Sequence, residues 1–346
     1  MSGRSVADTE SSTMAVHPTW AMNPALFPRL VAVETTSFCS ARCVFCPNDS
    51  LKRGKRHMSD ELFESIIEQC REFPLPAIEP FIQGDPFSDP KILPRLEMIH
   101  RRLPNTKLRL YSNGYNLTPE RTDAISEVGI DHLYISLNTT DPERYKAVMG
   151  LKLERTLEHL RYLSDPVRRR RVAREITVRM VRMTDTSLEE QNRFLALCKE
   201  LGVRSFIVGL FNYKGDIQSP LPVPNYPCEH MDRLDILADG IVTLCCMDQD
   251  GEFSWGDVNK QPLLDVYRGG VAAKYREMHW AGRRKEIHPC DTCNLFWPGL
   301  QGLPVIKRAR FAAEAGWYFL RHRPTGKRAP NLVPAAALVP PPRSEP

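Results

Sequence analysis

The sequence predicts an α/β protein, a partial (β/α)6 barrel of the TIM type followed by a small hairpin-containing unit. Three observations carry that expectation. Short apolar, β-branched runs alternate with helical patterns from about residue 30 to residue 210, as parallel strands buried on both faces require. Six such repeats are too few for a full eight-fold barrel, so the barrel is open, with right-handed crossovers. Beyond Leu210 the pattern changes to a glycine-turn hairpin and a cysteine-rich loop.

In chain order, the strand candidates are Leu30–Glu34, Ile78–Gln83, Leu108–Ser112, His132–Asn138, Ile176–Val181 and Ser205–Leu210. Helices fit the gaps. Ser59 precedes Asp-Glu-Leu-Phe, and Thr118 and Asp141 each precede a proline suited to the first helical position. Thr186-Ser-Leu-Glu189 reads as a capping box opening a helix that runs to about Leu201. Arg233–Leu237, Ala-Asp-Gly240 and Ile241–Cys245 form the hairpin, and a short helix, Pro262–Arg268, leads into the cysteine-rich loop. The expected boundaries are a disordered arm at 1–25, the barrel at 26–215, the second unit at 216–300, a C-terminal helix at 301–322 and a Pro-rich disordered tail at 323–346. Seven prolines from Pro324 onward block helix there.

The 346 residues are 42% hydrophobic and 26% charged, which suits a globular chain. No apolar run reaches the roughly 20 residues of a membrane span, and Met1–Glu10 lacks a secretory pattern. A cytoplasmic protein that leaves the membrane alone is therefore expected. The formal charge is +5, but Leu303–Pro346 alone carries +6, so the remainder sits near −1. The basic excess belongs to a tail and not to a folded face, and Arg168–Arg171 is short enough for a solvated loop or helix end, which argues against nucleic acid as a partner.

Ten cysteines without an export signal point to metal or redox chemistry. Cys39-Ser-Ala-Arg-Cys43-Val-Phe-Cys46 begins just past the first strand. Three thiolates in eight residues can hold three irons of one iron–sulfur cluster, and the missing fourth ligand leaves one iron open to a chelating small molecule. A zinc site would need a fourth ligand, with His57 the nearest candidate. Cys70 and Cys198 sit in helical patterns and read as core thiols.

Cys-x3-Cys-x2-Cys at this point of a β/α barrel resembles the radical S-adenosylmethionine (radical SAM) superfamily. Later strand ends agree. Gln83-Gly84-Asp85-Pro86 is similar to the family's Gly-Gly-Glu-Pro, which meets the amino group of bound SAM, with Gln for the first Gly and Asp for Glu. Ser112-Asn113-Gly114 resembles the family's Thr/Ser-Asn-Gly turn. Ser136-Leu-Asn138 resembles the segment that contacts the SAM ribose and carboxylate, and Arg179 is a candidate carboxylate partner or a structural ion-pair residue. The resemblance implies a SAM-binding [4Fe–4S] cluster on Cys39, Cys43 and Cys46, with Gly84, Asp85, Ser112, Asn113, Ser136, Asn138 and Arg179 as cofactor contacts. One electron from the cluster then cleaves SAM to methionine and a 5′-deoxyadenosyl radical, which abstracts hydrogen from a C–H bond.

In the second unit, Cys228-x11-Gly240-x4-Cys245 is followed by Cys290-Asp-Thr-Cys293, and four thiolates can close a site completely. Structural zinc is the alternative. The arrangement resembles the C-terminal extension called SPASM when it holds two auxiliary clusters and twitch when it holds one. No cysteine follows Cys293, which implies one auxiliary [4Fe–4S] cluster on Cys228, Cys245, Cys290 and Cys293. Cys246 is the alternative to Cys245, since neighbouring strand residues face opposite ways.

The resemblance implies an oxidoreductase or lyase acting on a small hydroxylated metabolite (a sugar, aminocyclitol or nucleoside) in specialised, antibiotic-type biosynthesis. Dehydrogenation is the expected outcome because it gives the second cluster an electron to accept. Decarboxylation of a sugar acid and epimerisation share the same abstraction, and in the latter Cys246 is the spare thiol that could return hydrogen. Peptide or protein maturation is a further alternative, although only about 29 residues precede the first strand. From another class comes a non-catalytic zinc-binding adaptor. Lys52, Arg53, Lys55, Arg56 and His57 form either a solvated loop or a docking surface for an acidic flavodoxin or ferredoxin electron donor.

Overall fold

The computed structural model describes residues 26–300 and 303–322. The expected arm and Pro-rich tail lie outside the described residues. The barrel runs β1 (Leu30–Val33), α1 (Asp60–Cys70), β2 (Ala77–Glu79), α2 (Ile92–Arg102), β3 (Lys107–Ser112), α3 (Pro119–Ile125), β4 (Ile130–Ser136), α4 (Pro142–Met149), α5 (Leu153–Leu163), α6 (Pro166–Val172), β5 (Ala173–Arg182), α7 (Leu188–Glu200) and β6 (Arg204–Gly209). The second unit adds β7 (Arg233–Ile236), β8 (Ile241–Thr243), β9 (Ser254–Asp257), α8 (Leu263–Arg268) and α9 (Gly270–Trp280), and α10 (Val305–Arg321) ends the described chain.

All strands join one sheet in the order β6-β5-β4-β3-β2-β1-β7-β8-β9. Neighbours from β1 to β6 are parallel, an open barrel of six as the run lengths predict. The second unit is not separate from it. β7 pairs in parallel with β1 over the whole of Leu30–Val33, and β8 and β9 continue antiparallel. The free edge of β1 leaves a row of unpaired backbone groups, which the hairpin covers.

Local signals set the helix starts. Ser59, Thr118 and Asp141 each accept a bond from the backbone N–H three residues on, which satisfies a donor that the helix leaves orphaned. The box at α7 lies one residue later than expected. Ser187 is the cap, bonded to Glu190 N, while Thr186 Oγ1 accepts from Met183 N. The second strand stops at Glu79, four residues short of the expected Gln83, because Glu79-Pro-Phe turns the chain toward the site. Helix α9 and strand β9 carry no clear pattern in the sequence and appear only in the fold.

Two basic runs lose their freedom on folding. Arg168 to Arg171 end α6, with Arg168 over the ring of Tyr162 and Arg171 paired to Glu127. In the run after the cysteine trio, Lys52, Arg53, Lys55 and Arg56 pair with Glu252, Glu34, Asp49 and Asp239. His57 is exposed and stacks on Phe38 at 4.7 Å. This run is therefore a clasp between the cysteine loop and the hairpin, with its charge largely neutralised. Cys70 and Cys198 are core residues, each 1% exposed. Among the described residues no helix is long and apolar enough to cross a membrane.

Candidate functional site

The first cysteine loop leaves β1 and is pinned from three sides. Arg42 N and Val44 N donate to Met149 and Val148 carbonyls at the end of α4. Ser37 N donates to Arg56 O, and Asn48 Nδ2 donates to Ser37 O. Gly84 closes the third side. Its φ is +79°, and a Cβ there would sit 2.5 Å from Thr36 O and 2.6 Å from Phe38 O, so only glycine allows the β2 loop to lie on the cysteine loop.

Cys39, Cys43 and Cys46 line one cavity of about 80 Å³ together with Gln83, Gly84 and Tyr213. Burial pushes the Cys39 thiol up to about 12, with nearby Asp85 adding to the shift. Burial also raises Cys43 and Cys46. Three half-buried thiols that resist ionisation alone, grouped on an open pocket, suit a cationic metal cluster that holds them as thiolates. The donor set of three sulfurs and no fourth fits a cluster with one exchangeable iron.

The expected cofactor contacts separate into distinct places. Asp85 is 2% exposed and its carboxylate accepts from Phe87 N, Asn113 N and Ser112 Oγ at 2.9, 2.7 and 3.0 Å. It ties the β2 and β3 loops together. Ser112 is spent on that bond and on Gly114 N. Asn113 reaches the trio itself, with Nδ2 3.5 Å from Cys39 Sγ. Asn138, at φ +65°, accepts from Val181 N and donates to Met149 Sδ, which also takes the Cys43 thiol. Ser136 is half-buried and opposite Arg179 in the β4–β5 register. Arg179 lies over the rings of Tyr111 and Tyr134 and lines a different, larger cavity.

Tyr213 has no sequence signal. Its side chain lines the trio's cavity beside Cys46, and its backbone is left-handed at φ +44°. A non-glycine residue in that region is held there at a cost by its surroundings.

The second group of thiols is closed. Cys228, Cys245, Cys290 and Cys293 are 5 to 8% exposed, and each of the other three bears on the ionisation of Cys245. Arg284, 1% exposed, donates to Cys293 O, while its Nε and Nη1 have no partner among the described residues. A buried guanidinium with two orphaned donors calls for an anion. Four thiolates on a four-iron cluster carry net negative charge, so the site fits that group. Among the described residues no three His, Cys, Asp or Glu close on a single ion. In a four-iron cluster each thiolate binds a different iron, so the sulfurs stand farther apart than donors of one ion.

Cys246 bears more on the Cys245 thiol than any other cysteine does, and it is the more exposed of the two. Both cysteines lie in the turn after β8, closed by Asp248 N to Cys245 O, so the turn and not strand alternation separates them. Cys246 Sγ lies 3.7 Å from His230 Nε2, and His230 Nδ1 lies 3.3 Å from Asp235 Oδ2. Gln83 Nε2 donates to Cys246 O, linking the two cysteine regions. A reciprocal pair of bonds between Asn212 and Asn294 ties the end of β6 to the residue after Cys293.

Two family profiles match the chain, that of the radical SAM superfamily over residues 33–198 and that of the SPASM iron-sulfur cluster-binding domain over 228–294. A PqqA peptide cyclase of Streptomyces rochei is 31% identical over 127 residues, which is 36% of this chain and 34% of the cyclase. The chain thus matches about a third of that relative's length. An S-adenosyl-L-methionine-dependent 2-deoxy-scyllo-inosamine dehydrogenase of Niallia circulans is 20% identical over 271 residues, 77% of this chain and 92% of the enzyme. The crystal structure of BtrN in complex with AdoMet and 2-DOIA superimposes with a TM-score of 0.55 at 20% identity, covering 78% of this chain and 93% of that one. At that identity the likeness is one of fold.

Proposed function

The chain belongs to the radical SAM superfamily and carries a C-terminal SPASM-type domain, and on that premise we propose that it dehydrogenates a secondary alcohol of a small metabolite. The family brings a SAM-binding [4Fe–4S] cluster and auxiliary iron–sulfur chemistry. In this reading Cys39, Cys43 and Cys46 hold the first, and Cys228, Cys245, Cys290 and Cys293 hold one auxiliary cluster. When bound, the reduced cluster and SAM supply a 5′-deoxyadenosyl radical that takes the hydrogen from the carbinol carbon. Loss of the hydroxyl proton to solvent and of one electron from the resulting α-hydroxyalkyl radical would give the ketone, and Cys228, Cys245, Cys290 and Cys293 would hold the cluster able to accept that electron.

One observation carries this reading. The four-thiol site is complete and is built on a hairpin paired directly to β1, the strand that delivers the open trio. Glu229, the residue after Cys228, lines the barrel cavity. Alignment over 92% of a small-molecule dehydrogenase supports the same outcome. Identity to PqqA peptide cyclases favours a second reading, a peptide substrate. Within the chain, Gly84 and α4 fix the cysteine loop, and Tyr213 lies against Cys46. The electron donor acts without strong steering by residues 52–56, whose charges are paired.

Product analysis after anaerobic turnover on a panel of aminocyclitols, sugars and nucleosides tests the proposal. A ketone is expected. Stoichiometric CO2, solvent deuterium in an isomeric product, or a cross-linked peptide would each replace it with decarboxylation, epimerisation through Cys246, or peptide maturation.

A further inference from the structure

A cavity of about 690 Å³ enters the barrel at the N-terminal strand ends, beside Leu30, Ala77, Lys107 and Arg204, and runs up the lumen to Tyr111, Tyr134 and Arg179, large enough for a metabolite-sized ligand. One wall is an aromatic ladder. Phe81 stacks on Tyr111 at 5.3 Å, Tyr111 on Tyr134 at 4.3 Å and 7°, and Tyr134 on His132 at 3.7 Å. Phe81 also lines the small cavity of the cysteine trio, so the ladder joins the two spaces.

The charges of the lumen are unevenly spent. Arg204 pairs with Glu175 at 2.5 Å, and Arg109 and Arg233 share Glu79 at 3.6 and 3.2 Å. Among the described residues, Arg29, Lys107 and Arg179 line the same cavity with no ion pair. Glu229 and Asp232 also face it, but burial pushes Asp232 up to about 7, which removes part of that negative charge near neutrality. Arg179 is the best placed of the three. Its Cζ lies 5.5 and 5.9 Å from the centroids of Tyr111 and Tyr134. Aromatic rings orient a guanidinium but do not neutralise it, and its hydrogen-bonding fork remains available to an oxyanion.

We propose that the substrate carries an anionic group, a carboxylate or a phosphate ester, and that Arg179 holds it beside the edges of Tyr111 and Tyr134, whose faces the ladder already uses. This rests on the small-metabolite reading above and narrows it to acids. It also assigns Arg179, expected as a SAM carboxylate partner or a structural ion-pair residue, to the substrate. The small cavity lined by the trio does not include Arg179.

The test uses the full chain, anaerobically reconstituted with both clusters, and three probes of similar size: glucose 6-phosphate, glucuronate and glucose. Equilibrium dialysis should give one of the two anions at least about tenfold tighter binding than glucose, and which of them does so identifies the source of the charge. Arg179→Gln should abolish that preference, Arg179→Lys should keep part of it, and the SAM dissociation constant should stay within about twofold in both. No preference in the parent protein, an undiminished preference in Arg179→Gln, or a SAM affinity lowered tenfold would overturn the proposal. If Arg179→Gln does not fold by circular dichroism, Arg179→Lys against the parent gives the same decision. Because binding is read without turnover, a product other than a ketone would sink the dehydrogenase reading and leave this one standing.

Discussion

The two cysteine regions use the same side chain for opposite ends. The first presents three half-buried thiols on a loop, in a pocket whose wall includes Phe81, Gln83, Gly84 and Tyr213. The second encloses four buried thiols between a hairpin and a Cys-x2-Cys turn, with a buried arginine beside them. An open coordination position can exchange a ligand, whereas a fully ligated cluster in a dry site can only pass electrons. The number of sulfurs and the solvent access set the difference, and neither depends on cysteine itself.

Removing sulfurs tests that division most severely. Alanine at Cys39, Cys43 or Cys46 should take about four of about eight irons per chain and abolish 5′-deoxyadenosine formation. Alanine at Cys290 should spare SAM binding yet block product formation. Iron analysis and chromatography of the nucleoside check both, and a trio variant that still makes 5′-deoxyadenosine breaks the comparison.

Gly84→Ala should come next. The new Cβ meets two backbone carbonyls at about 2.5 Å, and neither loop can yield without losing the bonds that pin it, a cost of order 2 kcal/mol or more. The expected result is loss of iron from the open site alone, read by Mössbauer spectroscopy as about half the parent signal.

Arg284→Met sharpens the contrast at the closed site. Losing a buried positive charge disfavours the more negative, reduced cluster, so the auxiliary potential should fall while the SAM-site potential stays put. Spectroelectrochemical titration separates the two. An unchanged auxiliary potential would mean that Arg284 serves only to hold Cys293 O.

The smallest effect concerns Asp232, at the foot of β7 where the two regions meet. Its carboxyl is raised from 3.8 to about 7, mainly by burial. The folded chain keeps this proton where the unfolded chain has released it, so the residue costs stability progressively as pH rises from about 4 to about 7. Asp232→Asn should therefore gain on the parent between pH 5 and pH 8, by about 1–2 kcal/mol or a few degrees in Tm. A constant difference across that range would show that Asp232 does not titrate there.

Much of this was legible in one dimension, and the parts that were share a cause. Caps at Ser59, Thr118 and Asp141 act over three residues, strands buried on both faces announce themselves by composition, and clustered cysteines need only counting. Signals of that range are written where they act. The rest involves partners brought together from far apart in the chain. Asp85 is spent on Ser112 and Asn113, so its carboxylate organises loops. Cys246 sits beside Cys245 in the turn past β8 yet meets His230, sixteen positions back. Residues 52–56 meet carboxylates up to two hundred positions away, and Arg284 and Tyr213 carry no local mark of the thiols they face.

The sequence by itself determined an open barrel with a sulfur-rich extension, because periodicity, capping and ligand spacing are local physics. Only the tertiary structure decided that the extension is stitched to β1, that Cys246 lies against His230, and that Arg179 looks into the lumen. Those outcomes depend on sheet register and on which charges find each other once water is excluded.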